Sequence, residues 1–444
     1  MSGKQNNSVL DRRAVMKLGL AGGAAVVAMP ALAGAETVPP IASKARIVIV
    51  GAGAAGLAAA NRLVKRLDGA SITLIDARKT HYYQPGFTLI AAGLRPVSYS
   101  VSTTREWLPN GIELIEEAVA EFDPAGNRVV TASGKSVGYD YLIVATGMVL
   151  DYAAIEGMDV ARIGTNGLGS VYAGPEAAEA TWRAMSAFAE KGGVGLFGRP
   201  ATEMKCAGAP LKYTFLTDDS LRRRGMRDRA KLIYCAHNKA LFSVPIVSEK
   251  VRMLFRDRGV ETRYDSVLAG IDPDRRIARY QTPQGVVEEG YDFINVIPPM
   301  RAPQSVRNSH LPWQEGPFAA DGWMEVDKAT LRHKRFPNIF GVGDIAGVPK
   351  GKTAASVKWQ VPVAVDHLVG DIAGKPSRAV YGGYTSCPLI TRYGRAMLVE
   401  FDYDNNLMPS FPGVIAPLEE LWATWVLKTV ALKPTYLTML RGIA

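Results

Sequence analysis

The sequence predicts an α/β chain made of two units of doubly wound parallel sheet, followed by a short C-terminal region of amphipathic helices. Three observations point there. An apolar strand, a glycine-rich turn, a small-residue helix and a second strand ending on an acid follow one another between residues 46 and 76. Strand and helix signals then start afresh from Val194 to about Asp265, which marks a second βαβ unit. Apolar residues at helical spacing close the chain. With 444 residues, 48% of them hydrophobic and both charge signs present, there is material for two or three domains and a full core, without repeats, disorder or a nucleic-acid motif.

Residues 1–35 read as a targeting segment outside the fold. Asp11-Arg12-Arg13-Ala14-Val15-Met16-Lys17 precedes an uncharged, glycine-rich run, and Ala31-Leu32-Ala33 and Ala33-Gly34-Ala35 suit a signal peptidase. The arginine pair resembles a twin-arginine leader, with Asp11 and Val15 where Ser/Thr and Phe usually stand. Gly19, Gly22 and Gly23 make the run too weakly apolar for a membrane span. The expected location is therefore the periplasmic side of the inner membrane, peripheral, after signal removal. Lys4, Arg12, Arg13 and Lys17 belong to this leader, so the net charge of +10 overstates the basic character of the rest. The remaining surplus suits ordinary solubility as well as an anionic membrane surface or substrate.

The first unit opens with strand Arg46–Val50 and the turn Gly51-Ala52-Gly53-Ala54-Ala55-Gly56. Gly51 permits a tight turn, Gly53 lets the backbone approach a pyrophosphate, and Gly56 lets the helix pack close to the strand. The helix N-terminus offers free N–H groups to phosphate, and Asp76 is placed to accept from a ribose hydroxyl. Short strands are expected at Val119–Phe122, Arg128–Thr131 and Val137–Thr146, the last leading into Gly147. A strand at Asp292–Pro298 and the run Asn338-Ile339-Phe340-Gly341-Val342-Gly343-Asp344 suggest that the chain leaves the first unit near Gly147, builds a second, and returns. The expected boundaries are 44–155 with 290–370 for the first domain, 156–289 for the second, and 371–444 for the C-terminal region.

These motifs carry a resemblance. Gly51–Gly56, Ala145-Thr146-Gly147 and Gly341-Val342-Gly343-Asp344 resemble the three FAD signatures of the glutathione-reductase-like superfamily, which implies two Rossmann-like domains and FAD as cofactor. In that pattern Thr146 and Gly147 supply backbone beside the cofactor and Asp344 holds its ribityl chain. A nicotinamide-using member repeats the glycine turn in the second domain. Here strand Val194–Gly198 runs instead into Arg199-Pro200-Ala201-Thr202-Glu203-Met204, where Glu203 and Met204 would obstruct a pyrophosphate. The next strand, Lys231–Cys235, ends on Ala236-His237-Asn238 without an acid for a ribose. The second unit is therefore expected to keep the fold and to lack a nicotinamide site.

The same loop offers Cys206. It precedes Pro210, which suits the first turn of a helix running to about Arg224, and its neighbours Lys205 and Lys212 favour the thiolate. Cys235 reads as a core residue of its strand. Cys387 is expected in a turn-rich loop, Gly383–Leu389, and two loop cysteines in an exported chain suggest a redox pair. No metal site is expected.

Lys205–Pro210, His81–Gly86, Ile297–Met300, Tyr384–Pro388 and Val399–Tyr403 together resemble sulfide:quinone oxidoreductase, in the branch that includes the mitochondrial enzymes. The resemblance covers nearly all of the chain after the leader. It implies oxidation of sulfide to sulfane sulfur through Cys206 and Cys387, with Cys387 carrying the persulfide and Cys206 donating to the flavin. Electrons then pass to a membrane quinone, and the sulfane sulfur goes to an unspecified acceptor. A further flavin-domain cysteine of many bacterial relatives is absent, so covalent flavin attachment is not expected. Lys352 is a candidate for positive charge at the flavin edge and equally reads as a surface lysine; Gln84 is a candidate cofactor-lining residue and equally a turn residue. Two alternatives share the flavin domain: the flavoprotein subunit of flavocytochrome c sulfide dehydrogenase, and an NADH:quinone dehydrogenase.

A helix is expected from Pro417, ended by Pro434, with Leu418, Leu421, Trp422, Trp425 and Val426 on its apolar face and a second short stripe at Tyr436, Leu437 and Leu440. Trp422, Trp425 and Tyr436 with Lys428, Lys433 and Arg441 suit an interfacial membrane helix; packing on the core or in a homo-oligomer is the competing use.

Overall fold

Parallel pairing begins where the sequence is most apolar. Residues 39–443 are described by a computed structural model; the expected leader at 1–35 lies outside them, and the unit that starts at Ile41 is described by itself. Strand β1 (Arg46–Val50), helix α1 (Ala54–Arg66) and strand β2 (Ser71–Ile75) form a βαβ unit, with β1 and β2 buried beyond their first residues. Strands buried on both faces read as continuous apolar runs, which is what Ile47-Val48-Ile49-Val50 shows. Strand β3 (Glu113–Ile115) pairs with β2, and β4 (Tyr141–Val144) pairs with β1. The expected strand over 137–146 is in fact two pieces in different sheets, since Ser136–Gly138 pairs antiparallel with Arg128–Thr131 before β4 begins.

The second sheet comprises β5 (Leu168–Gly169), β6 (Gly193–Gly198), β7 (Ala230–Cys235), β8 (Val260–Arg263) and β9 (Phe293–Asn295), all parallel, in the order β5-β9-β6-β7-β8. Helices α2 (Pro175–Lys191), α3 (Ala209–Arg223) and α4 (Pro245–Asp257) cover one face through Phe188, Phe215, Phe255 and Phe293. An antiparallel sheet over residues 267–290 covers the other through Ile271, Ala278 and Tyr280. The chain then returns to the first sheet as β10 (Ile339–Gly341), giving the all-parallel order β10-β4-β1-β2-β3. Helix α5 (Ala354–Ile372) packs with α1 on one face of that sheet, and the fully buried Trp323 lies in the core on the other. The two Rossmann-like sheets of the α/β fold are thus both present.

The C-terminal region departs from expectation in two places. Cys387 is not in a loop. It lies within β11 (Thr385–Arg392), which pairs antiparallel with β12 (Arg395–Phe401) and opposes Val399. Gly383 precedes a hairpin that contains Pro388 opposite Leu398, and its Leu389, Met397 and Val399 pack into the core shared with α3. Pro434 does not end the final helix either. Residues 422–440 form one continuous element, α6, that begins at Trp422 and has a widened turn at Leu427–Ala431. That widened turn stands directly ahead of the proline and relieves the clash and missing donor that would otherwise break the helix.

Candidate active site

The first site is a cradle at the carboxyl edge of the first sheet. The loops after β1, β4 and β10 are stitched together there: Ala145 N–H donates to Val50 O at 2.8 Å and Val342 N–H to Val144 O at 3.0 Å. Gly51 has φ +105°, and a Cβ on it would stand 2.4 Å from Ala145 O. A Cβ on Gly56 would stand 1.7 Å from Gly51 O, so this glycine sets the approach of α1 to the turn. Gly53 differs, because a Cβ there would meet only Arg78 Nη2 at 4.0 Å. The first intrahelical bond of α1 runs from Leu57 N–H to Gly53 O, which leaves the preceding N–H groups facing outward.

Asp76 closes the turn by accepting from Ala52 N–H at 2.6 Å, and it also accepts from Arg78 N–H and Nη2, each at 2.8 Å. Burial alone would raise its carboxyl, but Arg78 and the backbone donors hold it below the usual carboxylate range. The Thr146 hydroxyl is buried with no partner, and Gly147 has open space where a side chain would be. Asp344 stands in the turn after β10; burial raises its carboxyl, with Lys205 and Lys352 opposing, and no described residue donates a hydrogen bond to it. Three glycine-bearing loops, an orphan hydroxyl and a carboxylate without a donor converge on one sheet edge, a set that fits FAD.

The second site is the cysteine pair. Cys206 and Cys387 are both unbridged, and their thiols lie close enough to shift each other's titration. Gly208 is what admits them: a Cβ on it would lie 2.3 Å from Cys387 Sγ. Cys206 has φ +47°, a left-handed conformation that costs a non-glycine residue roughly 1–2 kcal/mol. It is held there by its N–H to Lys352 O at 3.0 Å, by Ala209 N–H to its own carbonyl at 2.8 Å, and by the Tyr172 hydroxyl at 2.9 Å to the same carbonyl. Helix α3 starts three residues on, at Ala209.

The pair is polarised. The Cys387 S–H hydrogen bond, opposed by burial and aided by Lys212 and Lys428, holds the Cys206 thiol well below its usual range. The same bond pushes Cys387 up. Lys212 donates to Cys206 Sγ at 3.5 Å and stays protonated above the usual lysine range, because the two sulfurs outweigh its burial. Lys428 of α6, only 2% exposed, donates to Pro85 O at 2.8 Å, and its pKa falls to about 7 through burial and the charge of Lys212. The arrangement favours the thiolate at Cys206 and the protonated thiol at Cys387.

Lys205 turns away from the thiols: its Nζ donates to Gln84 Oε1 at 2.6 Å, which ties the His81–Gly86 segment to the Cys206 loop. Lys352 is no surface lysine. It is 5% exposed, donates to Asp344 O at 2.7 Å and Ala346 O at 3.0 Å, and lies 3.7 Å above the Trp323 ring. Burial brings its pKa to about 8. Glu203 is exposed, and Cys235 is buried, its thiol pushed up to about 11 by that burial.

Comparison with known proteins decides the family. A family described as "Pyridine nucleotide-disulphide oxidoreductase" matches residues 45–183. The mitochondrial sulfide:quinone oxidoreductase of Mus musculus is 35% identical over 374 residues, 82% of this chain and 80% of that one. That of Dictyostelium discoideum is 35% identical over 368 residues, covering 83% and 80%. The chain belongs to the sulfide:quinone oxidoreductase family. The solved structure of the sulfide:quinone oxidoreductase from Aquifex aeolicus superposes with TM-score 0.73 at 22% identity, covering 90% of this chain and 92% of that one, and shows the shared fold. As a sulfide:quinone oxidoreductase the chain is an FAD-binding oxidoreductase.

Reading the sequence alone missed several residues of this oxidoreductase's site. Lys428, expected as a membrane-facing charge, is buried and donates inward to Pro85 O. Tyr436 was grouped with the interfacial aromatics, yet it is buried and its hydroxyl bonds His81 Nε2 at 2.8 Å. A lysine within an amphipathic stripe gives no sign of which face it takes. Tyr172 and Gly208 act through packing and carry no motif.

Proposed function

We propose that Cys206 and Cys387 are the redox pair through which this FAD-dependent enzyme oxidises sulfide to sulfane sulfur and delivers electrons to a quinone. One observation carries the assignment: two thiols far apart in sequence come together beside the buried Lys212, whose Nζ donates to Cys206 Sγ at 3.5 Å.

In the bridged state of the pair, hydrosulfide attacks Cys387 Sγ and the Cys206–Cys387 bond breaks. Cys206 leaves as the thiolate and Cys387 keeps the incoming sulfur as a persulfide, so one S–S bond replaces another and charge is conserved. Lys212 stabilises the departing thiolate, and Lys428 adds positive charge below about pH 7. Tyr172 and the backbone bonds to Lys352 and Ala209 keep Cys206 oriented through the exchange. Bound FAD supplies the two-electron relay between the sulfur chemistry and the quinone. Gly53, Thr146, Gly147 and Asp344 would hold it, with Gly51, Gly56 and Asp76 shaping the turn and Lys352 and Gln84 fixing the loops around it. Anaerobic sulfide titration is the test. The FAD-loaded wild type should lose its flavin absorbance, and Cys206→Ser should do so about a thousandfold more slowly or not at all. Undiminished reduction in Cys206→Ser would reject the pair.

A quinone acceptor asks for a membrane-facing surface, and α6 with the loop before it offers one. Trp422 is 52% exposed, Val430 62% and Val414 81%. Among the described residues no helix is long and apolar enough to cross a membrane, which agrees with interfacial docking. Docking occurs on the periplasmic side after twin-arginine export. Flotation with anionic liposomes should carry the wild type to the lipid layer and leave a Trp422→Ala, Val430→Asp variant several-fold depleted, with sulfide-driven flavin reduction unchanged. Equal flotation of both would move the docking surface elsewhere.

A further inference from the structure

The second sheet has no use in the chemistry above, yet its carboxyl edge is not filled. Strand β6 is flanked by β9 on one side and β7 on the other, so connections leave it in opposite directions and a crevice opens at its end. Parallel α/β sheets bind ligands at this switch point. The crevice here is a small open cavity of about 30 Å³, lined among others by Arg199, Pro200, Cys235, Ser266 and Asn295.

Two of these side chains are left without partners. Asn295 is 3% exposed; its Oδ1 accepts from Val171 N–H at 3.3 Å, which fixes the amide orientation, and its Nδ2 is buried with nothing to donate to. Arg199 Nε is likewise buried and unpartnered, and the guanidinium makes no ion pair or side-chain hydrogen bond with any described residue. Arg199 as a whole is only half-buried, but its Nε, like Asn295 Nδ2, is a buried donor. Such donors are ordinarily satisfied, and the lining contains no Asp or Glu to accept from either. Arg263 of the same sheet shows the contrast, since Glu261 and Glu289 both bind it.

Two free donors among the lining residues, one of them on a guanidinium, match the oxygens of a small anion. A dinucleotide is a poor match. The segment from Arg199 to Gly208 replaces the tight glycine turn, α3 starts only at Ala209, and β7 ends without an acid. We infer that the emptied nucleotide crevice of the second domain is a binding site for a small inorganic oxoanion, held by Arg199 and the Asn295 amide. The site neighbours the redox pair through Tyr172: Val171, next to it in the chain, donates its N–H to Asn295 Oδ1 at 3.3 Å, and the Tyr172 hydroxyl donates to the Cys206 carbonyl at 2.9 Å. Its occupancy is independent of whether the cysteines carry the sulfide chemistry.

Calorimetry on the FAD-loaded protein in an oxoanion-free chloride buffer tests this, with sulfate and inorganic phosphate as redox-inert probes. One equivalent should bind, with thermal stability rising as the anion is added. Arg199→Gln should weaken binding by about tenfold or more. Asn295→Asp, which retains the acceptor for Val171 and replaces the free amide with a repelling carboxylate, should abolish it. Flavin absorbance and the midpoint without anion confirm that both variants are folded, and Arg199→Lys should recover part of the affinity. The site is refuted if neither anion binds the wild type, if both variants bind as it does, or if NADH occupies the crevice and displaces the anion.

Discussion

The two sheets of this protein share a topology and differ at their carboxyl edges. After β1 the chain turns at once through Gly51, and α1 starts four residues beyond the strand; after β6 it wanders from Arg199 to Gly208 before α3 begins. The first edge presents backbone N–H groups and unfilled space to a cofactor. The second uses a longer stretch of chain to carry Cys206 across to Cys387 in β11. Loss of a nucleotide turn and gain of a reactive thiol are therefore one structural change. A loop freed from cradling phosphate can tolerate the bulk of Met204 and the strained backbone of Cys206.

The largest effect that would sharpen this contrast lies at Gly56. Its alanine variant would place a methyl against the Gly51 carbonyl, so a loss of at least about 3 kcal/mol is expected, read as a lowered denaturation midpoint and little soluble flavoprotein. Gly53→Ala meets no such obstacle. It should fold and retain FAD about tenfold less tightly, because the methyl occupies the space left for the cofactor. If Gly53→Ala kept full FAD affinity, the first edge would not be the cradle described.

A smaller effect is expected at the thiol. Cys206 has a depressed pKa, so its thiolate persists as pH falls below the usual thiol range of about 8.5. Lys212→Met should move the pH midpoint of Cys206 alkylation upward by about one unit or more, followed by mass spectrometry of the Cys206 peptide. The Lys428 charge is present below about pH 7 and lost above it, so Lys428→Met should alter alkylation on the acidic side only. No effect at all is expected of NADH: added anaerobically, it should leave the flavin absorbance unchanged. Bleaching by NADH would erase the difference between the two edges.

The glycine turn, the acid at Asp76 and the repeat of strand and helix signals were legible in the chain because each is a local matter of backbone conformation and residue size. The same holds for the missing second fingerprint and for the helix after Cys206. Lys428 and Tyr436 were misplaced for the opposite reason. Helical spacing shows that α6 has two faces but not which one meets Pro85 and His81. Cys387 read as a loop residue because Gly382, Gly383 and Pro388 are turn-formers, whereas hairpin pairing with β12 is set by partners that lie later in the chain.

Sequence by itself determined the α/β class, the cofactor edge and the identity of the two candidate thiols. Only the tertiary structure decided that those thiols come together, that the buried Lys212 stands against Cys206, and that Lys428 of the last helix turns inward to Pro85. The physical reason is that strands and turns follow from neighbouring residues, while a thiol's pKa follows from whatever the fold brings within a few ångströms of it.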